Sequence, residues 1–454
     1  MSNAIRLGPE DTIAALSTAR GRSAIAVLRV TGPDVQNVGS ALLRPWPLQE
    51  RVATLCEVRA NNGELIDRGL ATFFRAPASF TGEDVLEIST HGGLLVPALV
   101  EAALLGLGVR QALPGEFTRR AVLNGRLDIL QAEAIGDLID AASVATHHAA
   151  IAQLDGALSR EVVAIRHRLI ELEALISYDI DFPEEDDGPI SRDRVGAAAR
   201  DVAEAVEHLL CTAPMGELLR EGALAVIAGR PNAGKSSLFN ALLGRDRAIV
   251  TEFPGTTRDA LEAVIDVRGW PIRLVDTAGI RTTMDQIEKL GVEVSERYIR
   301  GSHLILLCDD SDSTVSDLHA HLLSLSSAPV LHVRTKGDLV AKEYQPLPGH
   351  VLVSATAREG LDALLDRIAA TLEDRYGEPI VDFPVITRAR HRQSLASALE
   401  EIVEFRRQWM AETLPSPIAA VHLQECRRLL EELIGTVDID DVLDKLFSSF
   451  CVGK

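Results

Sequence analysis

Residues 229–236 read Gly-Arg-Pro-Asn-Ala-Gly-Lys-Ser, the stretch with the plainest chemistry in this sequence. Glycines let a backbone wrap around phosphates, so that its N–H groups and the N-terminus of a following helix face the anion. Lys235 would reach the β and γ phosphates of a nucleotide, and the Ser236 hydroxyl would ligate Mg²⁺. The flanks agree: the apolar run 224–228 reads as a buried strand, and "SSLFNALL" reads as a helix that stops at Gly244. A second stretch, "LVDTAGIRTT" (274–283), ends a strand with Asp276 near the metal and the Gly279 backbone near the γ-phosphate. Many GTPases follow that glycine with a glutamine that orients the attacking water. Here Ile280 follows, and an isoleucine cannot position water. Either hydrolysis is very slow or it takes another route.

Three more loops fit the same nucleotide. "PGTTRD" (254–259) offers Thr257 as a second Mg²⁺ ligand. "VRTKGD" (333–338) offers Asp338, which can accept from N1–H and N2–H of guanine, a pattern that adenine lacks. "VSAT" (353–356) would supply backbone to the base. The candidate nucleotide set is Asn232, Ala233, Gly234, Lys235, Ser236 and Ser237, with Asp276, Thr277, Ala278 and Gly279. Thr335, Lys336, Gly337 and Asp338 join it, as do Ser354, Ala355 and Thr356. The guanine motif is commonly N-K-x-D. Thr335 is shorter and has no amide, so weaker guanine affinity with retained selectivity is expected.

Four strand-end loops of this kind need a doubly wound parallel sheet to carry them. Residues 223 to about 375 have the required texture, short apolar strands alternating with helices. Before them, residues 122–212 are Ala- and Leu-rich and helical in period, interrupted by "DFPEEDDGPI". After them, residues 388–447 are helical again. Helix, α/β and helix in that order predict an α/β domain inserted into a helical one. Residues 1 to about 120 mix β-type runs ("SAIAVLRV", "GLATFF", "DVLEIST"), turn signals and one apolar helix near 94–106, an α+β pattern.

The chain of 454 residues has room for two or three domains. Hydrophobic residues make up 46% and aromatics only 4%, so aliphatic cores are expected. No basic-then-apolar leader and no long apolar run are visible, which argues against a secreted or membrane-spanning protein. The five cysteines (56, 211, 308, 426, 451) form no C-x-x-C pair, which suits a reducing, cytoplasmic setting. With a net charge of −20, any nucleic-acid contact must use a local basic patch. Arg388, Arg390 and Arg392, or the pairs Arg119/Arg120 and Arg427/Arg428, are candidates, although each taken alone fits a solvated helix face.

The motifs "GRPNAGKSSL", "PGTTRD" and "DTAGIR" combine with "SFTGEDVLEISTHGG", "PGEFTRRAVLNGRLDILQAEAI" and "LFSSFCVGK". Together they resemble the tRNA-modification GTPases of the MnmE (TrmE) family nearly end to end. The resemblance implies a multidomain α+β and α/β fold. A tetrahydrofolate-binding, dimerising α+β domain would span 1–121 and an inserted Ras-like G domain 216–378. A discontinuous helical domain would span 122–215 and 379–454. It also implies a homodimer working with the FAD- and NADH-using partner MnmG on tRNA. The product carries an aminomethyl or carboxymethylaminomethyl group at C5 of wobble uridine U34, with a one-carbon unit drawn from a tetrahydrofolate derivative.

The resemblance answers the Ile280 question. It implies a K⁺ held by Asn232, Thr251, the Phe253 carbonyl and Thr256, and it adds Glu252, Pro254 and Gly255 to the nucleotide loop. A cation there does the work of an arginine finger. The water is then positioned by Glu288, eight residues after Ile280. Read by itself, Glu288 is an acid opening a helix, where carboxylates are common. The implied folate residues are Arg29, Glu87, Arg126 and Lys454, with arginine standing at 126 where the family often has lysine. Cys451 is open between a reactive thiol and a small packed residue. Two other readings remain: a GTP-dependent switch in ribosome or RNA maturation, and a stand-alone folate enzyme, which leaves the phosphate loop unexplained.

Overall fold

The computed structural model describes residues 11–181, 191–244, 261–276, 296–310, 315–340, 347–379, 383–411, 416–435, 450 and 452–453. The chain divides into two compact units, one of residues 1–136 with 431–454 and one of residues 137–430.

The first unit is built on a seven-stranded sheet. Its strands are β1 (Ile13–Leu16), β2 (Ile25–Thr31), β3 (Leu43–Arg44), β4 (Thr54–Arg59), β5 (Leu65–Phe74), β6 (Val85–His91) and β7 (Arg110–Gln111). They lie in the order β3-β4-β5-β6-β2-β1-β7. Period-two alternation sorts the faces. Leu28, Val30, Leu86 and Ile88 point into a core closed by α1 (Val35–Leu42) and α2 (Leu95–Gly106). Arg29 and Glu87, in register across β2 and β6, therefore occupy the other face. There α3 (Glu116–Leu123) adds Phe117, which packs with Ile13, Ala15 and Ala112. Residues 452 and 453 join this unit. Val452 bridges Pro114, and the Gly453 carbonyl accepts from Ser17 Oγ at 3.1 Å. Gly453 sits at φ +99°, and a Cβ there would come 2.7 Å from the Leu16 oxygen, so only glycine fits.

The sequence boundary between the units falls within α4 (Ile129–Ile139). In the second unit, α5 (Val144–Leu154), α6 (Ala157–Asp181), α7 (Arg192–Leu210) and α8 (Ala213–Glu221) precede the α/β segment. Its six strands are β8 (Ala223–Gly229), β9 (Leu261–Val267), β10 (Trp270–Asp276), β11 (Leu304–Asp309), β12 (Val330–Arg334) and β13 (His350–Leu352). Their order is β13-β12-β11-β8-β10-β9, parallel except for the edge strand β9. Helices α9 (Lys235–Leu243), α10 (Val315–Leu325) and α11 (Leu361–Tyr376) belong to it. Both faces of β8 are apolar because both are covered. Ala225 and Ile227 face the side of α9 and α11, and Val226 and Ala228 face the side of α10. This is the doubly wound sheet that the sequence predicts.

The insertion is also visible. Helix α7 precedes the sheet and α12 (Ala389–Ala411) follows it, with α13 (Ser416–Ile434) after that. The two helices on either side of the insert pack closely together: Arg406 Nε donates to the Gly196 carbonyl at 3.2 Å and Arg192 Nη1 to the Trp409 carbonyl at 3.1 Å. A Cβ at Gly196 would lie 2.6 Å from Met410 Sδ, so the small residue sets how near the helices come. Among the described residues no helix is long and apolar enough to cross a membrane.

One surface of the second unit carries a pH prediction. His332 on β12 stacks on His350 of β13, with centroids 4.6 Å apart, and meets His319 of α10 edge-on at 4.7 Å. Burial, then the charges of His350 and His319, hold its pKa below the ordinary 6.5. Unfolding releases that restraint, so below about pH 6.5 the unfolded chain takes up the proton first. Stability is fully present above that pH and falls as pH drops toward the folded value. Thermal melts at pH 7.5 and 5.5 are expected to show a smaller loss for His332→Gln than for the parent. Equal losses would remove His332 as the source.

Candidate nucleotide site

The site lies at the carboxyl ends of β8, β10, β11, β12 and β13, around the point where the strand order reverses. Strand β8 delivers Gly229 at φ +151°, where a Cβ would stand 2.3 Å from the Cys308 oxygen. Asn232 follows at φ +63° and Gly234 at φ +78°. These three left-handed or strained positions turn the chain sharply, and α9 starts at Lys235 directly after the turn. The helix N-terminus thus points into the loop, as anion binding requires. Lys235 is only 7% exposed, and its Nζ donates to the carbonyls of Gly229 at 3.1 Å and Arg230 at 2.7 Å. Its ammonium is thereby held across the mouth of the loop. Ser236 Oγ donates to Asp276 Oδ2 at 2.6 Å, and Asp276 is fully buried at the end of β10. A hydroxyl and a carboxylate in contact are hard oxygen donors of the kind that Mg²⁺ takes.

The base end is built by the next two strands. Thr335 leaves β12, buried, and its hydroxyl donates to the Ala233 carbonyl at 2.8 Å, with the Asp309 carbonyl at 3.2 Å. The residue expected only to weaken guanine contact thus ties the phosphate loop to the base loop. Lys336 sits at φ +54° with its ammonium 2.5 Å from Asp310 Oδ2, which fixes the stem beside the pocket. Asp338 is exposed, and its Oδ1 accepts from Ser354 Oγ at 2.6 Å. That hydrogen bond is the main cause holding the Asp338 carboxyl below its ordinary pKa, so it stays an acceptor. Ser354 also meets Thr356 Oγ1 at 3.1 Å. A cavity of about 260 Å³ lies between these groups, lined by Gly234, Ser237, Thr335, Lys336, Asp338 and Ala355 among others. The described residues of the expected set lie at the carboxyl ends of these strands: Asn232–Gly234, Thr335–Asp338 and Ser354–Thr356 after a strand, Lys235–Ser237 in the first turn of α9, and Asp276 as the last residue of β10.

Sequence reasoning did not find the Lys336–Asp310 pair or the Thr335 tie, because neither partner is near in sequence. Residues Thr251, Glu252, Phe253, Pro254, Gly255, Thr256 and Thr257 lie outside the described residues. So do Thr277, Ala278, Gly279, Ile280, Glu288, Cys451 and Lys454.

In the first unit, Arg29 donates from Nε and Nη2 to Glu87 Oε1 at 3.0 and 2.8 Å. Arg126 is exposed and lies across the Gly82 turn: a Cβ at Gly82 would be 3.2 Å from its Cγ. Three of the four expected folate positions are thus placed on this unit.

The family model described as "GTP-binding protein TrmE N-terminus" matches residues 12–126, and that described as "MnmE helical domain" matches residues 129–451. The chain belongs to the MnmE family. Among curated members, the tRNA modification GTPase MnmE of Azoarcus sp. (strain BH72) is 41% identical, covering 98% of each chain. That of Bordetella parapertussis is 40% identical, over 97% of this chain and 99% of the relative. A third, from Akkermansia muciniphila, is 40% identical over 98% and 99%. The G domain of the T. maritima FeoB iron transporter matches 33% of this chain and 98% of its own, at 27% identity and TM-score 0.26.

Proposed function

We propose that this MnmE-family chain is a K⁺-stimulated GTPase, hydrolysing GTP to GDP. With an MnmG partner it modifies C5 of wobble uridine U34 in tRNA, using a folate one-carbon unit. The observation that carries the GTPase reading is the joined geometry of Lys235, the Ser236–Asp276 pair and the Asp338–Ser354 pair around one sheet edge. Loop N–H groups and Lys235 hold the phosphates, and Asp338 selects guanine. Ser236, Asp276 and, from the neighbouring loop, Thr257 would hold Mg²⁺, which when bound neutralises charge on the β and γ oxygens. Glu288 positions the water in place of the glutamine that Ile280 replaces. Asn232, with Thr251, the Phe253 carbonyl and Thr256, would hold K⁺ beside the phosphates.

The folate reading is supported by the Arg29–Glu87 pair. Glu87 Oε2 and Arg29 Nη1 have no hydrogen-bond partner among the described residues, so the pair keeps one acceptor and one donor for a ligand. That is the complement of a pterin edge, with Arg126 and Lys454 for the remaining polar groups. The likeness to tRNA modification GTPases of the MnmE family over nearly the whole chain supports action on tRNA; a homodimer and a cytoplasmic site of action are part of the same proposal.

The first test is GTP turnover in K⁺ against Na⁺ at equal ionic strength. A K⁺-specific rise of at least tenfold is expected, lost in Asn232→Ala with a slow basal rate retained. Equal rates in the two salts would favour a GTP-dependent binding switch instead.

A further inference from the structure

The turn 79–84 inverts the usual order of burial. Ser79 and Thr81 are 7% and 0% exposed, whereas Phe80 between them is 37% exposed. Buried hydroxyls around an exposed ring need a reason, since a turn residue of this kind is ordinarily polar. The turn is also tightly held. Thr31 Oγ1 lies 2.7 Å from Thr81 Oγ1 and donates to Glu83 Oε2 at 2.9 Å. Asn124 Nδ2 donates to the Thr81 carbonyl at 2.7 Å, and Asp84 Oδ1 accepts from the Ala76 N–H at 2.8 Å. Glu83 is further fixed by Arg120, itself 4% exposed, at 3.2 Å. Phe80 is therefore presented outward by a rigid backbone.

What it meets is Arg29. The guanidinium carbon is 5.4 Å from the Phe80 ring centroid and 5.7 Å from that of the buried Phe117. Both are within cation–π range. Phe117 is fully buried and needs no further account. Phe80 has surface left over, beside the Arg29–Glu87 pair, whose Nη1 and Oε2 have no hydrogen-bond partner among the described residues, and beside the turn that Arg126 overlies.

We infer that Phe80 is a positioning residue of the folate site, which fixes the Arg29 guanidinium and offers the rest of its ring as a platform for a planar pterin. This rests on the folate reading above. An arginine side chain carries considerable rotamer freedom, and a ligand that must first freeze it binds more weakly. Glu87 restrains one edge of the guanidinium, and the two rings restrain its plane. A pterin is flat, aromatic and polar at its rim, so it matches a ring face beside the Arg29–Glu87 pair.

The test is calorimetric titration of the full-length protein with 5-formyltetrahydrofolate. Phe80→Leu keeps apolar bulk without the ring, and Phe80→Tyr keeps the ring. A roughly tenfold weaker Kd is expected for Phe80→Leu and Phe80→Ala, with Phe80→Tyr within about threefold of the parent. The melting temperature of Phe80→Leu should match the parent's. A purely structural role would leave Phe80→Leu binding as the parent does, and that result would overturn the inference while the folate reading stands. If the parent itself fails to bind, the folate reading falls, and this inference with it.

Discussion

Asp338→Asn is expected to exchange the preference of this chain for guanine nucleotides for one for xanthine nucleotides. The Asp338 carboxylate is acceptor-only, and the Ser354 hydroxyl donated to Oδ1 keeps it ionised. Guanine offers two donors, N1–H and N2–H, to such a group. An asparagine would set a donor against N2–H and leave two donors facing each other. Xanthine has an oxygen at that position and accepts instead. Sites built on a hydrogen bond reject the ligand that cannot make it by large factors. GDP affinity should fall by a factor on the order of 10²–10⁴, and xanthosine diphosphate affinity should rise correspondingly. Competition binding with a fluorescent nucleotide reads both. An Asn variant that still prefers GDP would mean that the base does not dock on Asp338.

Glu288→Ala should separate binding from hydrolysis. Nucleotide affinity belongs, on the proposed reading, to the phosphate loop, Lys235 and Asp338, none of which is the residue changed. Ile280 has no group to orient water, and on the proposed reading the Glu288 carboxylate does so, so its loss would leave the nucleophile unplaced. Loss of such a positioned group costs ~10²–10⁴ in rate. Single-turnover GTP hydrolysis in K⁺ is expected to slow by that factor, with the Kd for a non-hydrolysable analogue unchanged. Parent-like turnover in the variant would remove Glu288 from the mechanism and leave the Ile280 substitution unexplained.

The phosphate loop was legible because its chemistry is local. Glycines, a lysine and a serine at fixed offsets force one turn, and the apolar run 224–228 can only be a covered strand. The insertion was legible as a change of texture and back. What was not legible depends on pairs far apart in sequence. The Thr335 hydroxyl reaches Ala233 across 102 residues, so the sequence showed only a missing asparagine and not the tie that threonine makes. Nothing in the sequence singles out Phe80, because neither periodicity nor composition says which side of its turn faces Arg29. His332, His350 and His319 lie on three elements, and only strand register and helix packing bring their rings together.

The pairing of α7 with α12 has a consequence for how the chain is made. Leu210 ends the first helix and Ala389 begins the second, with the whole six-stranded sheet between them. At ~5–20 residues per second of synthesis, α7 emerges roughly ten to forty seconds before α12, the helix that packs against it after the insert, exists. The inserted sheet, with its core drawn mostly from contiguous sequence, can fold in that interval. A helical layer that lacks one of its members then waits, so the interval between those two helices is where the nascent chain is most open to misassociation.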